Sequence, residues 1–175
     1  MRGRIRLALF AMLGALGLVV VSADAGTATS PMAVTMAVGN TCTISAGPLA
    51  YGNYDPIVTN KTAPLNGQAT LTVTCTSGAA FTVTLDQGVN PAAGSTATAP
   101  LRQVSDGATP TPHVAAYGLF RDAAHTLVWG NTAAVGLTGT GTGAAQSLTV
   151  FGSVNGGQNV PQASYSDSVL STITF

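Results

Sequence analysis

The run "QATLTVTC", residues 68–75, puts Ala69, Leu71, Val73 and Cys75 on one side and Thr70, Thr72 and Thr74 on the other. Strict alternation with a period of two is the pattern of a half-buried strand, not of a helix. After the turn-like "TSGAA", the run "FTVTLD" (81–86) alternates again, with Phe81, Val83 and Leu85 on the inward side. These two runs predict a hairpin. Composition points the same way. The chain has no glutamate and its single lysine is Lys61. Helical proteins rarely lack both of these helix formers, whereas Thr, Val and Gly suit strands and turns.

Further strand-like runs recur between turn signals, as an all-β sandwich requires. "VAAYGLF" (114–120) and "TLVWG" (126–130) are separated by "RDAAH", a turn, and "SLTVFGSV" (147–154) follows the glycine-rich "GLTGTGTGAAQ". Residues 86–113 are rich in Gly, Pro, Ser and Thr. They predict a long surface connection, either functional or a crossover carrying short irregular strands. The last run, "SDSVLSTITF", places Val169, Ile173 and Phe175 on one face, and the chain ends on that aromatic residue.

Arg2, Arg4 and Arg6 precede the apolar "LALFAMLGALGLVVV", and "ADA" follows at 23–25. That order predicts an export signal over residues 1–25, with no membrane insertion after its removal. The remaining 150 residues suffice for one core. They carry Lys61, Arg102 and Arg121 against five aspartates, a net charge near minus two. So few charges, with no basic cluster, exclude nucleic acid and anionic membrane as expected partners. In an oxidising compartment the two cysteines, Cys42 and Cys75, pair most simply with each other. Closing that loop stabilises the fold by roughly 3–4 kcal/mol in the chain-entropy model.

Catalytic signals are weak. His113 and His125 are the only histidines, no G-x-S-x-G occurs, and Asp106 and Asp122 have no spacing that marks a carboxylate pair. "GTGTG" (139–143) lacks the following helix and the lysine of a phosphate loop, so it predicts a turn or bulge. Trp129 and Tyr117 are either core residues or stacking platforms for a sugar. No catalytic residue, metal or cofactor is expected.

The segment "SPMAVTMAV" (30–38) alternates Met32, Val34, Met36 and Val38 with Ala and Thr, ahead of a hinge at Gly39–Asn40. It either folds back as an ordinary first strand or fills the groove of another molecule.

Five stretches in order carry a family likeness: "CTISAGPLAYGNYDP", "GQATLTVTC", "YGLFRDAAHTLVWG", "GTGTGAAQSLTVFGSVNGGQNVPQASYSDSV" and "STITF". From about Val34 to Phe175 the chain resembles the spore coat protein U family, which includes the Csu-type pilins of archaic chaperone–usher fimbriae. It departs from the family pattern at "GSVN" (152–155), Phe120 and Phe151. The resemblance implies an all-β, incomplete immunoglobulin-like β-sandwich that lacks its final strand and carries an N-terminal donor strand. The expected divisions are a signal peptide over 1–25, a donor segment over 26–39 and the pilin domain over 40–175. Met32, Val34, Met36 and Val38 would be the donor anchors. Val169, Ile173 and Phe175 would form the C-terminal strand that borders the acceptor groove and binds the chaperone. The implied partners are a periplasmic chaperone, an outer-membrane usher and neighbouring pilin subunits. The implied role is a secreted fimbrial subunit, made for attachment and biofilm formation. The alternatives are a spore or cell-surface coat protein and a soluble carbohydrate-binding β-sandwich.

Overall fold

The computed structural model describes residues 24–175. All but the last two residues of the expected signal peptide therefore lie outside the described residues. Residues 24–36 form no helix or strand, and a compact body begins at Ala37. Within that body eight strands run in order: β1 (Cys42–Ala46), β2 (Leu65–Cys75), β3 (Ala80–Leu85), β4 (Arg102–Ser105), β5 (Val114–Phe120), β6 (Leu137–Thr140), β7 (Ala145–Val154) and β8 (Ser171–Thr174). They build a five-stranded sheet in the order β1-β2-β7-β5-β4 and a three-stranded sheet in the order β6-β3-β8. Every pairing is antiparallel.

The alternation of the sequence becomes the inward face of both sheets. Leu71, Val73 and Cys75 of β2 meet Phe81, Val83 and Leu85 of β3, joined by Leu119 of β5 and Val150 of β7. Trp129 is fully buried among them, and its indole N–H donates to Val83 O at 2.9 Å. Tyr117 is buried as well, so both candidate platforms belong to the core. The fold is an all-β immunoglobulin-like sandwich, as expected.

Three local expectations are corrected. β2 and β3 do not form a hairpin: β2 pairs with β1 and β7, and β3 with β6 and β8. Both runs carry large residues on their inner faces, and facing each other across the core buries both stripes. The tight turn Thr76–Ala79, closed by Ala79 N donating to Thr76 O at 3.0 Å, takes the chain across the sandwich. The run "TLVWG" forms no strand and touches β5 through one bridge, Phe120 to Val128. The chain is diverted there because Trp129 plunges into the core while Gly130 O accepts from Leu85 N across the sandwich. In the last run only Ser171–Thr174 forms a strand; Ser166 makes an isolated bridge with Ser105, and between them Leu170 N turns to the Asp86 carboxylate. The long connection of 86–113 does carry a short strand, β4.

The "GTGTG" stretch is β6 and its turn. Gly139 lies under the Phe81 ring, and a Cβ at Gly141 would sit 2.7 Å from Cys75 Cβ. Close approach explains these glycines without any phosphate.

Candidate functional site

The free sheet edges locate the site. β1 is one edge of the five-stranded sheet, β8 is one edge of the three-stranded sheet, and the two run near each other. β1 pairs only with Leu71–Cys75, so the other half of β2 has no neighbour on that side. After Gly47 N donates to Thr70 O at 2.9 Å, the chain leaves the sheet edge. A cleft of about 950 Å³ opens between the segment Ala46–Pro56 and the segment 160–169 that leads into β8. Its floor is apolar core: Leu65, Leu71, Val150, Val154 and Leu119 contribute.

That volume lies in the range of small-molecule sites. The walls, however, are two lengths of chain that carry few backbone hydrogen bonds, on either side of an apolar trough, and such a geometry suits an extended chain. A strand laid there adds main-chain hydrogen bonds at the edge and places alternate side chains on the floor.

The polar end of the cleft is held by buried groups, of which the sequence singled out Tyr117 only as a core residue or stacking platform. Tyr117 Oη donates to Asp167 Oδ2 at 2.7 Å. Burial, and then that bond to a carboxylate, push the Tyr117 phenol far above its ordinary range. Arg102, 1% exposed, projects from β4 and donates to Asp86 O at 2.8 Å, Leu85 O at 3.0 Å and Trp129 O at 2.9 Å. It staples the five-stranded sheet to the end of β3. Burial lowers the Arg102 pKa, opposed by Tyr117, Asp86 and Asp167. Among the described residues its Nη1 has no partner, nor does the buried hydroxyl of Tyr51. A lone arginine in a charge-poor strand, "LRQV", was the available signal for this staple.

The predicted residues fall as follows. Cys42 and Cys75 are disulfide-bonded and face each other across β1 and β2. Val169 lines the cleft, and Ile173, opposite Val83 in register, packs on the core from β8. Phe175 lies just past β8 and is 52% exposed. Met32, Val34, Met36 and Val38 lie outside any strand and are 70–88% exposed. Gly39, the expected hinge, accepts at its carbonyl from Thr76 Oγ1 at 3.3 Å.

The residues weighed for catalysis act as turn caps. Asp106 accepts from Ala108 N and His113 N, and its other oxygen meets His113 Nδ1 at 2.7 Å. Asp122 accepts from Thr126 N and Leu127 N. These hydrogen bonds hold both carboxyls below their ordinary range. Among the described residues, no group of three His, Cys, Asp or Glu side chains is placed to hold a metal.

Comparison with known proteins adds three findings. The model of the Spore Coat Protein U domain matches residues 28–172. Protein U of Myxococcus xanthus is 42% identical over 178 residues, covering 98% of each chain. Among solved structures, the CsuC–CsuE chaperone–tip adhesion subunit pre-assembly complex from archaic chaperone–usher Csu pili of Acinetobacter baumannii superposes with a TM-score of 0.54 at 16% identity. That match covers 79% of this chain and 40% of the solved one, and shows a shared fold.

Proposed function

The chain belongs to the Spore Coat Protein U domain family, and from that premise and the cleft we propose that it is a structural subunit that polymerises by donor-strand exchange. In this reading residues 27–38 of one copy enter the cleft of the next. The observation that carries it is the pairing of unmet needs within one sequence. An apolar trough lies open beside the free edges of β1 and β8, and four large apolar residues in strict alternation are left in water. Each anchor buried contributes about 1.5–3 kcal/mol before ordering costs, enough together for a slowly dissociating joint. Donor and acceptor are different segments of the chain, so the contact is heterologous and yields an open filament. A periplasmic chaperone would cover the cleft before assembly and an outer-membrane usher would release the subunit. The product would be a surface fimbrium serving attachment and biofilm formation.

Membership in a spore coat family supports a second reading, in which the same joint builds a coat layer on a spore or cell without an usher. Electron microscopy of the assembled protein separates thin filaments from sheets or amorphous layers.

The first test uses residues 39–175 made in an oxidising periplasm, with and without a peptide of residues 27–40. Donor-strand exchange predicts that the peptide raises the melting temperature by about 10 °C or more, and that alanine at Val34 and Met36 weakens it. A truncated domain already stable, monomeric and indifferent to the peptide would sink the mechanism.

A further inference from the structure

Residues 48–53 arch across the inner face of β2 and β7. The arch is tied at both ends, by Gly47 N donating to Thr70 O and by Tyr54 Oη donating to Asn155 O, each at 2.9 Å. Between those ties no backbone hydrogen bond holds it. What holds it is a hollow. Gly67 and Gly152 lie directly opposite each other in the β2–β7 register, and Leu49 and Tyr51 occupy the space their missing side chains leave. A Cβ on Gly67 would sit 3.0 Å from Tyr51 Cδ1, and one on Gly152 would overlap the Tyr51 hydroxyl. The Tyr51 ring stands edge-on to Tyr117 at 6.3 Å, and both residues line the cleft. The fit has a flaw, because the Tyr51 hydroxyl is buried with no hydrogen-bond partner.

We propose that Leu49 and Tyr51 form a displaceable plug in the cleft, and that the arch swings out when an incoming strand takes the Gly67–Gly152 hollow. This rests on the strand-acceptor reading above. The arch can leave without breaking a backbone hydrogen bond, so its opening is opposed by the packing of Leu49 and Tyr51 and not by a sheet ladder. Departure also returns the Tyr51 hydroxyl to water and removes the penalty of leaving it unpaired. The apolar side chains of residues 32–38 of a second copy refill the hollow. A free subunit thus covers part of its own groove, which limits the apolar surface it exposes before assembly. The unpaired hydroxyl keeps that cover from becoming permanent.

The test uses the chain from residue 26 onward with Val34→Asp and Met36→Asp, which suppress self-donation. Uptake of a fluorescent peptide of residues 27–40 is followed in time, and nitration of Tyr51 is read by mass spectrometry before and after. The plug predicts that Tyr51 is protected in the free chain and reactive once the peptide is bound. Tyr51→Ala should speed uptake about tenfold, and Tyr51→Phe, which keeps the ring and removes only the unpaired hydroxyl, should slow it about fivefold. If the peptide binds while Tyr51 stays protected and Tyr51→Phe leaves the rate unchanged, the arch is a fixed wall. The plug is then wrong and the acceptor reading stands. If no variant takes up the peptide, both fail together.

Discussion

Tyr117 on β5 donates its phenolic hydrogen to Asp167, 2.7 Å away in the segment that leads into β8. The other Asp167 oxygen accepts from Val89 N at 3.0 Å and Asn90 Nδ2 at 3.1 Å. One carboxylate therefore ties three separate stretches of chain at the rim of the cleft, and sets where the free edge of β8 begins. Asp86 repeats the device beside it, accepting from Gly88 N and Leu170 N.

Tyr117→Phe removes one of those bonds and should cost about 1 kcal/mol. Asp167→Ala leaves three donors without a partner and should cost about 3 kcal/mol. Urea unfolding of the two variants measures both. Hydrogen exchange at the Val89 amide should accelerate in Asp167→Ala only.

Among the described residues, Arg102 has no carboxylate partner within salt-bridge reach, and it spends its guanidinium on three backbone carbonyls. Arg102→Met keeps the buried stem but strands Leu85 O, Asp86 O and Trp129 O, at a cost of about 3 kcal/mol. Arg102→Lys should recover less than half of that, since one ammonium does not reproduce the planar fork. Urea midpoints decide between a staple and a passive core residue.

The disulfide fastens an edge strand. β1 has a partner on one side only, and Cys42 is its first residue, directly opposite Cys75. Reduction should lower stability by roughly 3–4 kcal/mol in the chain-entropy model. Melting with and without reductant gives the value, and Cys42→Ser with Cys75→Ser should reproduce it.

Much of this sandwich was written in its alternation. The inner faces of β2 and β3 follow from parity, because a one-residue slip would turn every threonine inward. What parity does not encode is which sheet a strand joins. "TSGAA" reads equally well as a hairpin turn or as a crossing between sheets, and only the need to oppose two apolar faces chooses. The partners of Arg102 and the Gly67–Gly152 hollow were hidden for another reason. Each depends on residues far apart in the chain, brought together by the register of β2 with β7 and the path of β4 beside β5. The Met32 to Val38 stripe was legible as a strand-like alternation, but the sequence left open whether it folds back as a first strand or fills another molecule's groove.

Two opposed pH limits follow from the shifted groups. Burial raises the Tyr51 and Tyr117 phenols, so their contribution is fully present below the unfolded tyrosine pKa of about 10 and is lost as pH rises beyond it. Tyrosinate absorbance should show these two ionising only as the sandwich opens. Hydrogen bonds lower Asp55, Asp106 and Asp122, so their contribution is present above about pH 4 and is lost below it. A melting temperature flat between about pH 5 and 9 and falling on both sides fits this account. A maximum confined to one side would refute the half that fails to appear.

Gly152 and Tyr51 should be energetically coupled, and this is the most local check on the hollow. Gly152→Ala places a methyl against the Tyr51 hydroxyl and 2.6 Å from Leu49 Cδ2, so one of the arch side chains has to move. Overpacking of this kind costs about 1–3 kcal/mol. Tyr51→Ala alone empties the hollow and costs a similar amount through lost packing. Combining them gives the new methyl the vacated space, so the double variant should be less destabilised than the sum of the singles, by about 1 kcal/mol. Urea unfolding of the four proteins closes the cycle. Additive costs would mean that the glycine pair and the arch do not touch in solution, and would remove the basis for a plug.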